Sequence, residues 1–309
     1  MKFVFNPLVA IVCFLNSSFA QTVSTPIVGF ANEQLPAGQH FFSPSFQKAS
    51  VFSGSATITG TTVTGLNLVG SLGASTFTDR ANFPTHYLEI TSGPYAGTYY
   101  DIGSNTANSV TLTETPNTSG AVTIAIRPHV TLADVIKSES GIGEFSDSIA
   151  VYNRNGGFAI YYFADGEVKG DDFATPMGHV PVHPGKGIGL NAGSNLQVKT
   201  SGQVRDKSLQ VPVYPGAVNV VGSMNPSSGT KITSLSLGDE LSAFSETALL
   251  YDATGNLGLI AIVLSDGTSP TDDNFNAYTT SSSPSLSTKS TMLVNVDSVK
   301  YISLPSPVQ

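Results

Sequence analysis

Apolar and polar residues alternate with a period of two along most of this chain. The segment 55–63 (SATITGTTV) alternates small polar with β-branched residues, and HYLEIT (86–91) and TYYDI (98–102) flank the turn-rich SGPYAG (92–97). Two alternating runs around a Gly/Pro turn predict a hairpin. Other short strands are predicted at 110–113, 122–126, 149–152, 158–163, 187–190, 196–200, 209–213, 218–221, 248–251, 257–264 and 292–296. This pattern indicates an all-β fold of sandwich or barrel units.

Two stretches have a helical pattern instead. They are TLADVIK (131–137) and SLGDELSAF (236–244), each long enough for one or two turns. Thr131 and Ser236 are suitable N-cap residues, because their hydroxyl groups can accept from the first free backbone N–H groups. We therefore expect two short helices at most.

A long-range repeat organises the second half of the chain. The segment SIAVYNRNGGFAIYYFADG (148–166) is echoed by TALLYDATGNLGLIAIVLSDG (247–267), and Tyr152 matches Tyr251 at an offset of 99 residues. The closing Asp-Gly pairs keep nearly the same offset. Chance likeness between two hairpins is the alternative, but the spacing holds over about 50 residues and favours one β unit used twice.

The repeat predicts how the chain is divided. PAGQHFF (36–42) resembles PGAVNVV (215–221), yet it lies far upstream of the first copy. We therefore expect that a small β-domain at about 50–125 interrupts the first copy, since surface loops tolerate insertions. An ordinary N-terminal domain is the alternative. The predicted segments are a signal peptide at 1–20, an N-terminal β region at 21–127, copy one at 128–215 and copy two at 216–309.

The first 20 residues are typical of a secretory signal peptide. Lys2 precedes an apolar run (3–15) that is too short to span a bilayer, and Ser18 and Ala20 are small residues before a cleavage point. A membrane anchor is the alternative. We expect a secreted or otherwise exported protein, located in the periplasm, at the cell surface or outside the cell, with no transmembrane span in the mature chain.

The single cysteine, Cys13, lies inside the predicted signal peptide. Cleavage leaves a mature chain with no thiol and no disulfide, which fits a bacterial envelope better than a disulfide-stapled animal ectodomain. A lipid attached to Cys13 is disfavoured, because the preceding Ala-Ile-Val is bulky for such a site.

Charge and motifs exclude several functions. The formal charge of −8 becomes −9 without Lys2, and the basic residues form no runs. Nucleic acid is therefore not an expected partner. Charged residues are 12% of the chain, about half the usual share. The sequence contains no G-x-S-x-G, no P-loop and no dinucleotide fingerprint, so no catalytic residue and no organic cofactor are predicted.

Acidic residues after each repeated hairpin are a candidate calcium site. They are Asp165, Glu167, Asp171 and Asp172 in copy one, and Asp266, Asp272 and Asp273 in copy two. Carboxylates in flexible loops are suitable ligands for Ca²⁺, although the D-x-[DN]-x-[DN]-G pattern is absent. The alternative is turn chemistry, because Asp and Gly are favoured in hairpin turns.

Two other groups of residues are candidates for binding. His179 and His183, in HVPVH, could share one face of a strand and hold a metal, but no third ligand is evident. Tyr161 and Tyr162 belong to a set of tyrosines that could form a sugar-binding platform. Cross-strand packing is the alternative for the tyrosines, because Tyr is a favoured strand residue.

Several turn and strand motifs carry a family resemblance. They are TPIVGF (25–30), LPAG (35–38), SGPYAG (92–97), RP (127–128), the hairpin from Tyr152 through Gly157-Phe158 to Tyr161-Tyr162, and PGKGIG (184–189). Over most of 22–226 the chain resembles a family of uncharacterised secreted proteins found chiefly in verrucomicrobial-type bacteria. The resemblance implies export and a β fold, but no activity or site residue. Such proteins often have Trp after the Tyr-Tyr strand, where this chain has Glu167-Val168.

Taken together, these patterns favour a non-enzymatic structural or adhesive protein of the cell envelope or extracellular matrix. The basis is the set of hydroxyl-rich, weakly charged strands and the missing catalytic motifs. A secreted carbohydrate-binding module, with glycan as partner and calcium held in the acidic loops, is the alternative. An enzyme with a carboxylate or metal site at 165–172 or 266–273 is a third hypothesis, and other envelope proteins are further expected partners.

Overall fold

Alternating sequence becomes alternating burial in the computed structural model. In β1 (Val28–Leu35), Ala31, Glu33 and Leu35 are buried and the residues between them are exposed. The structure describes residues 26–66, 68, 77, 83–226, 229–252, 258–287 and 290–308. The predicted signal peptide and Cys13 lie outside the described residues. The expected all-β class with two short helices is confirmed.

A closed six-stranded barrel follows β1 and β2 (Gly38–Phe42). Its strands are β3 (Phe52–Thr59), β4 (Thr62–Thr64), β5 (His86–Ile90), β6 (Tyr99–Asn105), β7 (Ser109–Leu112) and β8 (Gly120–Pro128), closed in the order β3-β4-β7-β6-β5-β8. The hairpin predicted from the alternation is β5–β6, in which Tyr87 pairs with Asp101. Apolar side chains such as Leu88, Ile102 and Ile124 fill the interior.

The first unit comprises β1, β2 and the strands after the barrel. Those strands are β9 (Val130–Thr131), β10 (Ser148–Tyr152), β11 (Phe158–Ala164), β12 (Glu167–Lys169), β13 (Pro181–Val182), β14 (Ile188–Ala192) and β15 (Leu196–Gln203). Four of these strands form a sheet with β2, in the order β12-β11-β10-β14-β2, while β1 pairs with β15 and β9 with β13. The first unit is therefore discontinuous in sequence, with the barrel between its second and third strands.

The second unit repeats this pairing scheme strand by strand. It contains β16 (Leu209–Val213), β17 (Asn219–Gly222), β18 (Thr230–Lys231), β19 (Thr247–Asp252), β20 (Gly258–Ser265), β21 (Pro270–Thr271), β22 (Ser285–Leu286), β23 (Ser290–Asn295) and β24 (Lys300–Leu304). Its sheet has the order β21-β20-β19-β23-β17, β16 pairs with β24, and β18 with β22. The predicted boundary at 215/216 stays a prediction, although β16 lies before it and pairs with β24.

Each unit carries one short helix, at the place predicted. The first, α1 (Leu132–Val135), begins at Thr131, whose N–H and hydroxyl groups both donate to Asp134 Oδ2 at 2.8 Å. The second, α2 (Leu237–Glu240), follows Ser236, whose side chain makes no capping bond. Two 3₁₀ turns lie nearby, at Ser138–Ser140 and Ile232–Ser234. In the part of the chain that the structure describes, no helix has both the length and the apolar character needed to cross a membrane.

A buried ionic network ties the barrel to the chain between the two units. Glu89 of β5 lies between Arg127 of β8, whose Nε is 3.2 Å from Oε2, and Arg205, whose Nη2 donates to Oε1. Arg205 is 1% exposed and Glu89 2%. Glutamine oxygens complete the network, because Gln47 accepts from Arg205 at 2.7 Å and Gln203 accepts from Arg127 at 2.8 Å. Two buried cations thus share one buried carboxylate.

Candidate functional site

The candidate site forms where the barrel meets the first unit. Its frame is the short antiparallel pair of β9 and β13, in which Val130 lies opposite Val182. His129 and His183 are each one residue beyond that pair, so the register places them opposite each other, and their ring centroids are 4.8 Å apart. The third member, Asp101, comes from barrel strand β6.

Asp101 joins the two imidazoles by giving one oxygen to each. Oδ1 lies 3.0 Å from His129 Nε2, and Oδ2 lies 3.0 Å from His183 Nε2. The side chain of His129 is 1% exposed, whereas that of His183 is 34% exposed. These three residues are called the His–Asp–His cluster below. One of its rings is sealed inside the protein and the other reaches the surface.

The protein environment sets the charge of Asp101 and of His129. Burial alone would raise the pKa of Asp101, but the charge of His183 and the hydrogen bonds from both rings outweigh it and hold this pKa far below its usual range. Burial lowers the pKa of His129 despite its hydrogen bond to Asp101. At neutral pH the cluster therefore combines an ionised carboxylate with a neutral buried imidazole.

Asp101 and His183 line a cleft between the barrel and the two units. Its volume is about 520 Å³, within the usual range for small-molecule sites. The barrel contributes Tyr99 and Glu114, the first unit Tyr152 to Gly156, and the second unit Tyr214. Aromatic walls and convergent polar groups thus occur together in this cleft.

A close approach between the units shapes one side of the cleft. Gly156, in the turn between β10 and β11, has φ +81°, and a Cβ added there would lie 2.9 Å from the carbonyl oxygen of Gly216. A larger residue would separate the two turns. Glycine therefore allows the first unit's hairpin to touch the second unit beside the cleft.

Lys186 is a cleft residue with altered acidity. The turn His183-Pro184-Gly185-Lys186 is closed by a 3.0 Å bond from Lys186 N–H to His183 C=O, and Gly185 takes the positive φ that such a turn requires. Lys186 Nζ lies 5.6 Å from the Tyr214 ring centroid. Burial lowers the pKa of Lys186 to about 7, and no described carboxylate forms an ion pair with it. Half of these amines are thus neutral near pH 7.

An ion pair bridges the cleft at its rim. Arg154 Nη1 of the first unit lies 3.0 Å from Glu114 Oε2 of the barrel, and the two side chains are 53% and 40% exposed. Burial, followed by the charge of Glu114, raises the pKa of nearby Tyr214 to about 12. The rim can thus offer a cation, a carboxylate and a phenol hydroxyl to a ligand.

Comparison with family models, with curated proteins and with solved structures gives no match to this chain. The family resemblance inferred from sequence motifs therefore stays a prediction.

The acidic residues predicted to bind calcium have turn and ion-pair contacts. Asp165 and Glu167 both pair with Lys169, at 3.7 and 3.0 Å. Asp172 accepts from the backbone N–H groups of Ala174 and Thr175, each at 2.9 Å, while Asp171 is exposed. Among the described residues, the group of potential ligands within 4.8 Å of one another is the His–Asp–His cluster, which includes none of these four. Their calcium role stays a prediction.

The other predicted binding residues are divided between core and surface. Tyr161 is 5% exposed and belongs to the core of the first unit. Tyr162 is half-buried and packs on Phe173, with ring centroids 4.6 Å apart. His179 packs against Phe83 at 5.7 Å, so only His183 of the HVPVH segment joins the cluster.

Sequence reasoning missed His129 and Asp101. A signal for His129 exists, because His129-Val130-Thr131 and Pro181-Val182-His183 have their histidines at opposite ends, as facing residues of an antiparallel pair require. Asp101 has no such signal. It lies in an ordinary alternating strand, and only the contact between barrel and first unit brings it to the histidines.

Each unit also carries a pair of phenylalanines that sequence reasoning missed, and of the four only Phe173 is not exposed. Phe145 and Phe173 have ring centroids 5.8 Å apart, and Phe244 and Phe275 have centroids 5.1 Å apart. All four have left-handed backbone, with φ between 55° and 61°. Such angles are strained in residues other than glycine.

In each unit, a buried carboxylate two residues after the first phenylalanine of the pair holds the loop by hydrogen bonds. Asp147 accepts from the N–H groups of Gly143 and Gly193 at 2.7 and 3.0 Å. Glu246, also 99 residues after its counterpart, accepts from Ser242 and Asp297 at 2.6 and 2.7 Å. The two units therefore share loop chemistry as well as strand order.

Proposed function

We propose that this protein is an exported, non-enzymatic adhesive protein of the cell envelope or extracellular matrix that binds carbohydrate in the cleft. The observation that supports the proposal is the cleft of about 520 Å³ at the junction of the barrel and the two units. It is large enough for a short saccharide and is open to solvent at the Arg154–Glu114 rim.

The chemistry of the walls favours a saccharide. Tyr152 and Tyr214, which are half-buried, offer ring faces for the C–H surfaces of a sugar. Asn153 and Asn155 offer amides that both donate to and accept from hydroxyl groups. This combination of apolar faces with a few fixed polar groups is typical of small-molecule recognition.

Export and duplication belong to the same proposal. The predicted signal peptide supports export. The shared pairing scheme of the two units supports an origin from one duplicated β unit, with the barrel inserted in the first copy between β2 and β9. The hypothesis that the acidic loops bind calcium concerns residues outside the cleft.

The proposal is tested with the mature chain (21–309) on a glycan array, followed by calorimetric titration of the saccharides that bind. Arg154→Ala removes a rim group whose ion pair is exposed and is therefore worth less than about 1 kcal/mol of stability. Lys207→Ala, at an exposed position outside the cleft, is the matched control. We expect the affinity to fall about tenfold or more in Arg154→Ala and to stay unchanged in the control.

Two results would count against carbohydrate binding in the cleft. One is an array on which no glycan exceeds the background. The other is a bound glycan whose affinity is equal in Arg154→Ala, Lys207→Ala and the unaltered chain, since that ligand would bind elsewhere.

A further inference from the structure

We propose that Asp101, His129 and His183 bind one divalent transition-metal ion, with Zn²⁺ as the best match, and that the ion has an open coordination position facing the cleft. This inference goes beyond carbohydrate binding and does not depend on it. It rests on the donor set, the spacing of the donors and a comparison between the two units.

The donor set matches a borderline metal ion. Two imidazole nitrogens and one carboxylate oxygen are suitable ligands for Zn²⁺ and related ions, whereas Ca²⁺ and Mg²⁺ prefer oxygen alone. Three protein ligands leave a fourth position of a tetrahedral site free. Because Asp101 and His183 line the cleft while His129 is buried, the free position would face the cleft.

The spacing of the donors suits an ion of this size. Zn–N and Zn–O bonds of about 2.0–2.1 Å in a tetrahedral site place ligand atoms about 3.3 Å apart. Asp101 places Oδ1 3.0 Å from His129 Nε2 and Oδ2 3.0 Å from His183 Nε2, and one ligand atom from each of the three residues lies within 4.8 Å of the other two. Small shifts of the carboxylate and of the more exposed His183 ring would bring the three ligand atoms to the spacing that the ion requires.

The frame of the cluster is fixed before any ion arrives. His129 follows β8 and donates its backbone N–H to Thr85 C=O at 3.0 Å. His183 is held between the β9–β13 pair and the turn to Lys186, and Tyr87 packs on the His129 ring at 4.9 Å. Backbone hydrogen bonds thus hold two ligands and β6 holds the third, as a preorganised metal site requires.

The second unit shows that the fold does not need the histidine pair. Its equivalent strands, β18 and β22, pair Thr230 with Leu286, so Gly229 and Ser287 take the positions of His129 and His183. At Gly229 a Cβ would lie 2.8 Å from Ser285 Cβ, which leaves no room for an imidazole. The same strand pairing therefore forms without histidines, so the pair in the first unit is not a requirement of the strand pairing itself.

The first experiment is a calorimetric titration of Zn²⁺ into the tag-free mature chain after treatment with EDTA and dialysis. We expect one ion per chain. His183→Gln removes the most exposed ligand and should weaken binding by more than about 100-fold, since even indirect partners of metal ligands contribute 10–100-fold. His179→Gln, from the same HVPVH segment but outside the cluster, is the matched control and should bind as the unaltered chain does. Absence of binding by the unaltered chain, or equal binding by His183→Gln, would overturn the proposal.

A second measurement guards against a misfolded variant. Co²⁺ replaces Zn²⁺ in such sites and its visible absorption reports low-symmetry coordination, so the unaltered chain and His179→Gln should both show the band. Zn²⁺ should also raise the melting temperature of the unaltered chain, because an ion that binds only the folded state stabilises it. Absence of both effects in the unaltered chain contradicts the proposal, whatever the variants do. Ca²⁺ that displaces Zn²⁺ at equal concentration contradicts the choice of a transition metal.

Carbohydrate binding is separable from metal binding in this design. The metal titrations contain no glycan, and the glycan array can be repeated with EDTA-treated protein. If the chain binds Zn²⁺ but no glycan, the metal site is supported and carbohydrate binding is contradicted. If it binds glycan but no Zn²⁺, carbohydrate binding is supported and the metal site is contradicted.

Discussion

At the scale of single residues, the cleft changes the acidity of Lys186. Burial removes water from its ammonium group, which lies 5.6 Å from the centroid of the Tyr214 ring. The charged form is penalised, so the pKa falls to about 7. A neutral amine at physiological pH is a nucleophile, whereas exposed lysines remain protonated.

We expect this difference to appear in the pH dependence of lysine acylation. Trace labelling with acetic anhydride should modify Lys186 half-maximally near pH 7, because only the neutral amine reacts. Lys207, which is exposed and lies outside the cleft, is the reference lysine in the same samples. Mass spectrometry of peptides labelled between about pH 6 and 11 measures the labelling of both lysines. If Lys186 and Lys207 rise together with pH, the burial argument is wrong.

The His–Asp–His cluster also shows the limit of sequence reasoning at this scale. His183 was recognisable as a potential ligand because it stands near another histidine in HVPVH. Its true partners, His129 and Asp101, lie 54 and 82 residues earlier in the chain. His129 meets His183 through the pairing of β9 and β13, which have two residues each, and Asp101 reaches both from barrel strand β6. Strands this short have no periodicity to read, so their pairing could not be predicted.

At the scale of elements, the sequence predicts much more. Alternation in HYLEIT and TYYDI is sufficient for the β5–β6 hairpin, and the Asp165-Gly166 turn that joins β11 to β12 has the two positive φ values that a tight hairpin turn needs. The loops with Phe145 and Phe173 could not be predicted. Their residues have unfavourable backbone angles, which tertiary hydrogen bonds such as Phe145 N–H to Phe163 C=O impose.

This strain predicts an inverted order of stability at Phe145. Glycine normally destabilises a protein relative to alanine. At φ +58°, however, the left-handed backbone conformation costs an alanine about 1–2 kcal/mol of stability, whereas glycine adopts it without that cost. Both variants lose the same aromatic ring, so Phe145→Gly should be more stable than Phe145→Ala by about 1 kcal/mol. Urea unfolding of the two variants measures the difference, and Phe244, the counterpart in the second unit, should behave in the same way. An alanine variant that is equal or more stable at both positions would contradict the assignment of strain.

At the scale of the whole molecule, the ionic network of Glu89, Arg127 and Arg205 connects what the sequence keeps apart. Glu89 and Arg127 belong to the barrel, whereas Arg205 lies between the first and second units. The core of the second unit also includes Tyr87 and Tyr99 of the barrel. Composition could not predict this arrangement, because a sparse set of charges gives no indication of which ones become buried.

Removing Glu89 should therefore destabilise the entire protein. Glu89→Gln leaves two buried guanidinium groups without a carboxylate, and breaking such a pair typically costs about 3–5 kcal/mol. Glu167→Gln is the matched control, because that carboxylate is 50% exposed in its pair with Lys169 and should contribute less than about 1 kcal/mol. The free energies of unfolding in guanidinium chloride measure both. Similar losses in the two variants would mean that the buried network contributes no more than a surface pair.

The position of the barrel has a further consequence for the entropy of the chain. Residues 43–129 separate β2 from β9, and without internal structure they would be a long flexible loop within the first unit. In the barrel, Phe52 pairs with Ile126, and Val51 N–H donates to Ile126 C=O at 2.8 Å. The free connection therefore shrinks to about a dozen residues, and its closure costs about 2 kcal/mol less than that of the unstructured loop. The barrel, which lies between β2 and β9 in the chain, thus brings β2 back to the strands it must join.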